Sequence, residues 1–439
     1  MESNCIGGDG YKLFQMPNGI RVILDHNPTT QGVTTCIFVN GATRHEDADQ
    51  NGIAHFLEHE FFKGTPKRPT QLDIAKEVVS RGAKNNAGTA TDFTVYFIQA
   101  PAEFFEFTAD IQSDMLMNPL FDAKEIETEK GVILQERAKY LDLPEVYISV
   151  LQDRVLFGAD HPMGKDPVGT EELIKGYTRD DFIRFRNEWY HPSRLVLYVN
   201  ANMNTGPQPF MEILEKYFGS YDGKAEIFIT EQINASHFRN PEPRGDLIKK
   251  DTEQSHMSVA FPSYKRKHPK WMSSEVLACL LGGTMASRLF EEVRSKRGLA
   301  YSVQSYTDEY VEDGYMAVLA GLDSAKLQEA LQVIGGILKA VRDDVTQEEV
   351  DNAKAFLKGE SIRRWEMAMS KAIFYGKQAL LDDSILNPAD QLALIDEVTL
   401  DMVTDCAREI CNPDMARFAL IGPFDGYQNY LDTVVEAMK

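Results

Sequence analysis

The sequence predicts an α/β chain of two homologous domains. Each is expected to be an α+β sandwich with helices on one face of a mixed, mostly antiparallel sheet. Three observations carry that expectation. Strand-like and helix-like segments alternate along the chain. Its 439 residues, 43% of them hydrophobic, exceed what one small core organises. The chain is also written twice. YTRDDFIRFRNEWYHPSRLVLYVNANM, from Tyr177, and VTLDMVTDCAREICNPDMARFALIGPF, from Val398, both read as turn, amphipathic helix, proline and apolar strand. FDAKEIETEKGVILQE, from Phe121, aligns with VTQEEVDNAKAFLKGE, from Val345, and brings Glu136 onto Glu360. The strand TTCIFVNG, from Thr34, aligns with HMSVAFPS, from His256. Three matches in one order, at a shared offset of about 222 residues, mark an internal duplication.

The domains expected are therefore 1–224 and 246–439. The stretch 225–245, AEIFITEQINASHFRNPEPRG, carries Pro, Asn, Gly and charges and reads as the linker. The net charge of −21 argues against nucleic acid or an anionic membrane surface as partner. No apolar run is long enough to span a bilayer, and the N-terminus has neither a basic start nor an apolar stretch of a targeting signal. The five cysteines are scattered without a CxxC pair, as reduced thiols would be. These features together predict a cytoplasmic protein.

The chemistry concentrates in AHFLEHEFFKGT, Ala54 to Thr65. If Gly52 to Phe62 is helical, His55 and His59 are i and i+4 and project from one face, and Glu58 lies beside His59. Two imidazoles and a carboxylate so spaced suit zinc in a partly open tetrahedron, with a base next to it. With nine histidines in the chain, HxxEH is expected by chance in only about one or two such sequences per hundred. An acid left unpaired on an apolar turn would cost several kcal/mol, which a metal relieves.

HxxEH is the inverted-zincin motif, and at this point the chain resembles the pitrilysin/insulinase family of zinc peptidases. Its likeness is to the half-length members, among them bacterial homologues of the mitochondrial processing peptidase β subunit. The resemblance implies a third zinc ligand, a glutamate on a later helix, which falls on Glu136. It also implies a supporting glutamate two turns earlier, which falls on Glu129. MASRLFEEVRSKRGLAYSV, from Met285, resembles the family's C-terminal signature, in which an arginine and a tyrosine seven residues apart serve the active site; here these are Arg294 and Tyr301. KNNAGTATDFTVYFIQA, from Lys84, resembles the substrate-binding edge strand, with Asn86 and Ala87 facing an extended peptide. HPMGKDPVGT, from His161, also resembles a family segment, and His161 reads as structural.

The expectation is thus one Zn2+ per chain, held by His55, His59 and Glu136, in a metalloendopeptidase with Glu58 as general base. Shifted by the repeat offset, His55, Glu58 and His59 fall near Leu277, Leu280 and Leu281, so the second half should hold no zinc. Glu60 departs from the family, which has an apolar residue there, and either tunes the metal or faces solvent. The resemblance further implies a closed chamber formed with a second copy or a related chain, admitting peptides and unfolded segments. A non-catalytic partner subunit is the alternative; it would require lost ligands, and every site residue is kept.

Overall fold

The structure is a computed structural model that describes residues 10–222, 244–382, 384–424 and 430–439. All but the last two residues of the expected linker, and Cys5, lie outside the described residues.

Strands β1 (Tyr11–Gln15), β2 (Arg21–His26), β3 (Gly32–Val39), β4 (Lys84–Thr89), β5 (Thr94–Pro101) and β6 (Leu195–Ala201) form a six-stranded sheet in the order β1-β2-β6-β3-β5-β4. Only the β2–β6 pairing is parallel. Strands β7 (Gly245–Lys249), β8 (Gln254–Ser263), β9 (Ala300–Glu309), β10 (Gly314–Asp323) and β11 (Arg417–Gly422) form a five-stranded sheet in the order β7-β11-β8-β10-β9. Again one pairing, β7–β11, is parallel. Strand for strand, β7, β11, β8, β10 and β9 repeat β2, β6, β3, β5 and β4. The duplication inferred from the sequence is a duplication of topology.

The chain divides into two compact units. One is Met1–Arg137, Asp166–Thr230 and Arg363–Ala389; the other is Ala138–Lys165, Glu231–Ile362 and Asp390–Lys439. They interleave, because each takes one helix from the opposite half of the sequence. The layer of helices expected on one face of each sheet is present, and the borrowed helix covers the other face. In the first unit, Gln112 of the helix Phe105–Met117 donates to the carbonyls of Thr35 and Tyr96, and Ile37, Phe61 and Leu116 line a small apolar cavity on that side. Cys36 and Phe38 point the opposite way, as alternation along a strand requires, and pack with Ala372 and Tyr375 of the helix Ala368–Leu381. That helix is anchored by Lys371, whose ammonium donates to the fully buried Asp25 at 2.7 Å. Asp25 also accepts from Tyr198 and Asn200, so the buried charge is fully partnered, without which it would be strongly destabilising.

The second unit does the same. Phe418 and Leu420 enter its main core, while Ala419 and Ile421 pack with Tyr147, Ile148 and Leu151 of the helix Pro144–Phe157. The two borrowed helices occupy equivalent places in the repeat.

Candidate metal centre

The helix Ile53–Glu60 opens at Gly52, which has φ of 90°. A Cβ there would lie 2.3 Å from the Val168 carbonyl oxygen, so only glycine fits both the conformation and the space. The free N–H groups at this end meet the buried carboxylate of Glu46, which accepts from Gly52 and Ala54 at 2.9 Å each. A negative charge at a helix N-terminus is favourable, and here it fixes the first turn. Ile53, Phe56 and Leu57 are buried on the core side. That sets the opposite side, with His55, Glu58 and His59, toward the helix Ala123–Asp142.

The imidazoles of His55 and His59 lie 4.9 Å apart, centroid to centroid, and nearly perpendicular. Glu136 Oε2 is 3.8 Å from His55 Nε2 and 3.6 Å from His59 Nε2. One donor atom from each of the three residues lies within 4.8 Å of the others. Zinc bonded at about 2.0–2.1 Å sets tetrahedral donors roughly 3.4 Å apart, so this N, N, O set fits the ion with little adjustment.

Glu129, seven residues before Glu136 on the same helix, accepts from His59 Nδ1–H at 2.8 Å. Its other oxygen accepts from the Lys63 ammonium. Glu58 accepts from the Thr89 hydroxyl at 2.5 Å, which ties it to β4. An open cavity of about 300 Å3 adjoins the centre, lined among others by Glu58, His59, Phe62, Lys63, Asn85 and Asn86.

The electrostatics of the pair are unequal. Burial, then the neighbouring His59, lowers His55 to about 4, so its ring is neutral at pH 7 and has a lone pair to offer. Burial also pulls His59 down, but the Glu129 hydrogen bond and the surrounding carboxylates outweigh it and the net shift is upward. A site that favours positive charge at this ring also favours a cation beside it. Burial raises Glu58 against the Thr89 hydrogen bond, the direction a general base near neutral pH requires. Glu129 is held low, since its bonds from His59 and Lys63 exceed its own burial penalty.

Glu60 does not face solvent. It is fully buried, neither carboxylate oxygen has a hydrogen-bond partner among the described residues, and burial and the charge of Glu129 push it up to about 8.

Asn86 and Ala87 lie on β4, the edge strand of the first sheet. Among the described residues, β4 pairs with β5 alone. Arg294 and Tyr301 belong to the second unit. Arg294 lies on a short helical segment, Phe290–Ser295, and Tyr301 follows Gly298 on β9. The guanidinium sits 5.6 Å from the Tyr301 ring centroid, and that ring is 74% exposed. His161 accepts from the Met163 N–H and stacks on Phe157, the structural place expected of it. Sequence reasoning missed Glu46, Lys63 and Thr89. Lys63, four residues after His59, offered a spacing signal; the other two offered none.

The chain is similar to known proteins over nearly its whole length. The Insulinase (Peptidase family M16) model matches residues 21–156, and the Peptidase M16 inactive domain model matches residues 176–357. An uncharacterized zinc protease of Bacillus subtilis, YmxG, is 32% identical over 415 residues, covering 94% of this chain and 98% of the relative. The chain belongs to the M16 (insulinase) peptidase family. Another relative, an uncharacterized zinc protease of Mycobacterium leprae, is 32% identical over 412 residues, covering 93% of this chain and 91% of the relative. Among solved structures, a protease from Helicobacter pylori shares the fold, with a TM-score of 0.84, 21% identity and coverage of 94% of this chain and 99% of that one. The match to the M16 inactive domain takes in Leu277, Leu280 and Leu281, all buried. The second unit thus has plain core where the first has the motif.

Proposed function

We propose that the chain is a zinc-dependent endopeptidase that hydrolyses peptides and unfolded polypeptide segments. The observation that carries this reading is the convergence of two imidazoles and one carboxylate from two helices, with a second acid, Glu58, beside them and an open strand edge next to it. His55, His59 and Glu136 would hold one zinc ion per chain. Bound there, zinc supplies a Lewis acid that acidifies water and polarises a carbonyl.

The chain's own residues do the rest. Glu58 takes the proton of the attacking water and delivers it to the leaving amine, held for that task by Thr89. The free edge of β4 offers backbone N–H and C=O groups to an extended peptide at Asn86 and Ala87. Glu129 orients His59. Arg294 and Tyr301 steady the negative oxygen that develops on the substrate; the exposure of the Tyr301 phenol supports giving it a ligand-facing task. In this reading two chains, identical or related, enclose the reaction. A cytoplasmic setting agrees with the free, buried Cys36, Cys279, Cys406 and Cys411. No helix among the described residues is long and apolar enough to cross a membrane.

The test is metal analysis of the purified chain together with cleavage of an unfolded test peptide, with and without chelator. About one zinc per chain and chelator-sensitive cleavage are expected. Zinc without cleavage would favour the second reading, a non-catalytic partner subunit.

A further inference from the structure

We propose that Lys63 is a positioning residue of the metal centre: its ammonium clamps Glu129 and, through Glu129, fixes the ring plane and tautomer of His59. This rests on the metal reading above and adds to it a residue outside the HxxEH motif and its glutamates.

The geometry is a chain of contacts. Lys63 follows the motif helix by one turn, with its backbone N–H donating to the Glu60 carbonyl at 3.1 Å. Its side chain is only 10% exposed, although an ammonium ordinarily seeks water. It is kept inside by two acceptors, Glu129 Oε2 and, at 3.2 Å, Gln71 Oε1. The two oxygens of Glu129 are thereby divided, Oε2 to Lys63 and Oε1 to His59 Nδ1 at 2.8 Å. A carboxylate held at one oxygen swings freely, because its last torsion is broad. Held at both, it has one plane. That plane sets the direction of the Nδ1–H bond, and so of the Nε2 lone pair on the side of Glu136, 3.6 Å away.

Two neighbouring facts make the clamp necessary. Among the described residues His55 has no equivalent support, since its Nδ1 is buried without a partner, so the preorganisation of the pair rests on His59. Glu60, buried beside Glu129, has no hydrogen-bond partner among the described residues and gives Glu129 no further anchor. Without Lys63, Glu129 would keep its bond from His59 alone and be free to turn.

The experiment measures zinc affinity of the full-length chain by competition with a chromophoric chelator. The proteins are wild type, Lys63→Met, Lys63→Arg, Glu129→Gln and the K63M/E129Q double variant. Thermal melts of the metal-free forms establish folding, and Lys63→Gln replaces K63M should that variant not fold. K63M is expected to weaken zinc about 10–100-fold, the range for groups that orient a metal ligand. K63R should stay within about three-fold of wild type, and in the E129Q background K63M should add no more than about two-fold, because the two act through one contact. Wild-type zinc affinity in K63M, or a K63M loss undiminished in the E129Q background, overturns the inference and leaves the metal reading standing. So does a K63M variant with unchanged zinc and a raised KM, which would make Lys63 a substrate contact. A wild-type chain that binds no zinc overturns the metal reading itself.

Discussion

The helix Ile53–Glu60 and the helix Trp271–Ala278 hold the same place in two copies of one topology. Each follows the strand at the middle of its sheet, β3 or β8, and each packs against the edge strand, β4 or β9. On the first helix this face carries His55, Glu58 and His59. On the second, and in the wider π-type turn that extends it, the face carries Leu277, Leu280 and Leu281, all buried. A fully buried leucine stabilises by roughly 1.5–3 kcal/mol relative to an exposed one. The first helix instead leaves His55 Nδ1 on this face, and both oxygens of Glu60 on its core side, buried without partners among the described residues. The fold therefore does not need the motif residues. One copy uses the position for stability, and the other keeps it for polar groups that could hold a metal.

The comparison can be broken by exchanging residues. Replacing His59 by Leu, the residue of the second copy, should abolish stoichiometric zinc and reduce hydrolysis to background, read by metal analysis and peptide cleavage. Glu58→Gln should keep zinc and lower the turnover rate by about 10²–10⁴-fold; a variant cutting at the wild-type rate would refute Glu58 as the base. Truncating the second face should act on folding alone. Leu281→Ala is expected to cost about 2–5 kcal/mol in denaturant titration of the metal-free chain, with zinc stoichiometry unchanged. Glu60→Met should sharpen the contrast in the other direction, raising metal-free stability by about 1–3 kcal/mol by removing an unpartnered buried carboxylate.

The smallest effect concerns the second unit's own buried acid. Among the described residues Asp153 Oδ1 is sealed without a partner, and burial, then Asp308, raises its pKa well above the ordinary value. A raised carboxyl holds its proton more tightly folded than unfolded, so its cost to stability grows as pH rises above the unfolded pKa of about 3.9. Asp153→Asn should stabilise by of order 1 kcal/mol at neutral pH, and the difference should close toward pH 3. A gap independent of pH would show that ionisation is not the cause.

Much of this was legible because it is written in local spacing. The repeat shows itself through proline-punctuated helix–strand pairs around Pro192 and Pro413, and each pair folds as read, into Arg179–Trp189 with β6 and Leu400–Ile410 with β11. His55 and His59 are legible from helical periodicity. Glu136 was reached through the family resemblance, since no local pattern links residues on separate helices. The borrowed helices were not foreseen because amphipathicity says that a helix packs but not against which sheet. The burial of Glu60 was left open for a related reason. An isolated acid on a helix reads as solvated, and its surroundings come from Glu129 and Lys63, distant or unremarked in sequence. Thr89 needed the register of β4 beside the motif helix, a tertiary fact.

The interleaving of the two units limits how this molecule can be taken apart. Fragments ending near residue 222 and starting near residue 244 would each keep a sheet and misplace a cover: the first would retain Pro144–Phe157 with no sheet to lay it on, and the second would retain Ala368–Leu381 in the same predicament. Expressed singly, each would present a bare apolar surface to solvent and be prone to aggregate. Produced together, they could fold only by lending each other a helix, as swapped protomers do. The two halves are obligate hosts of one another, and the half that carries the HxxEH motif is not a portable module.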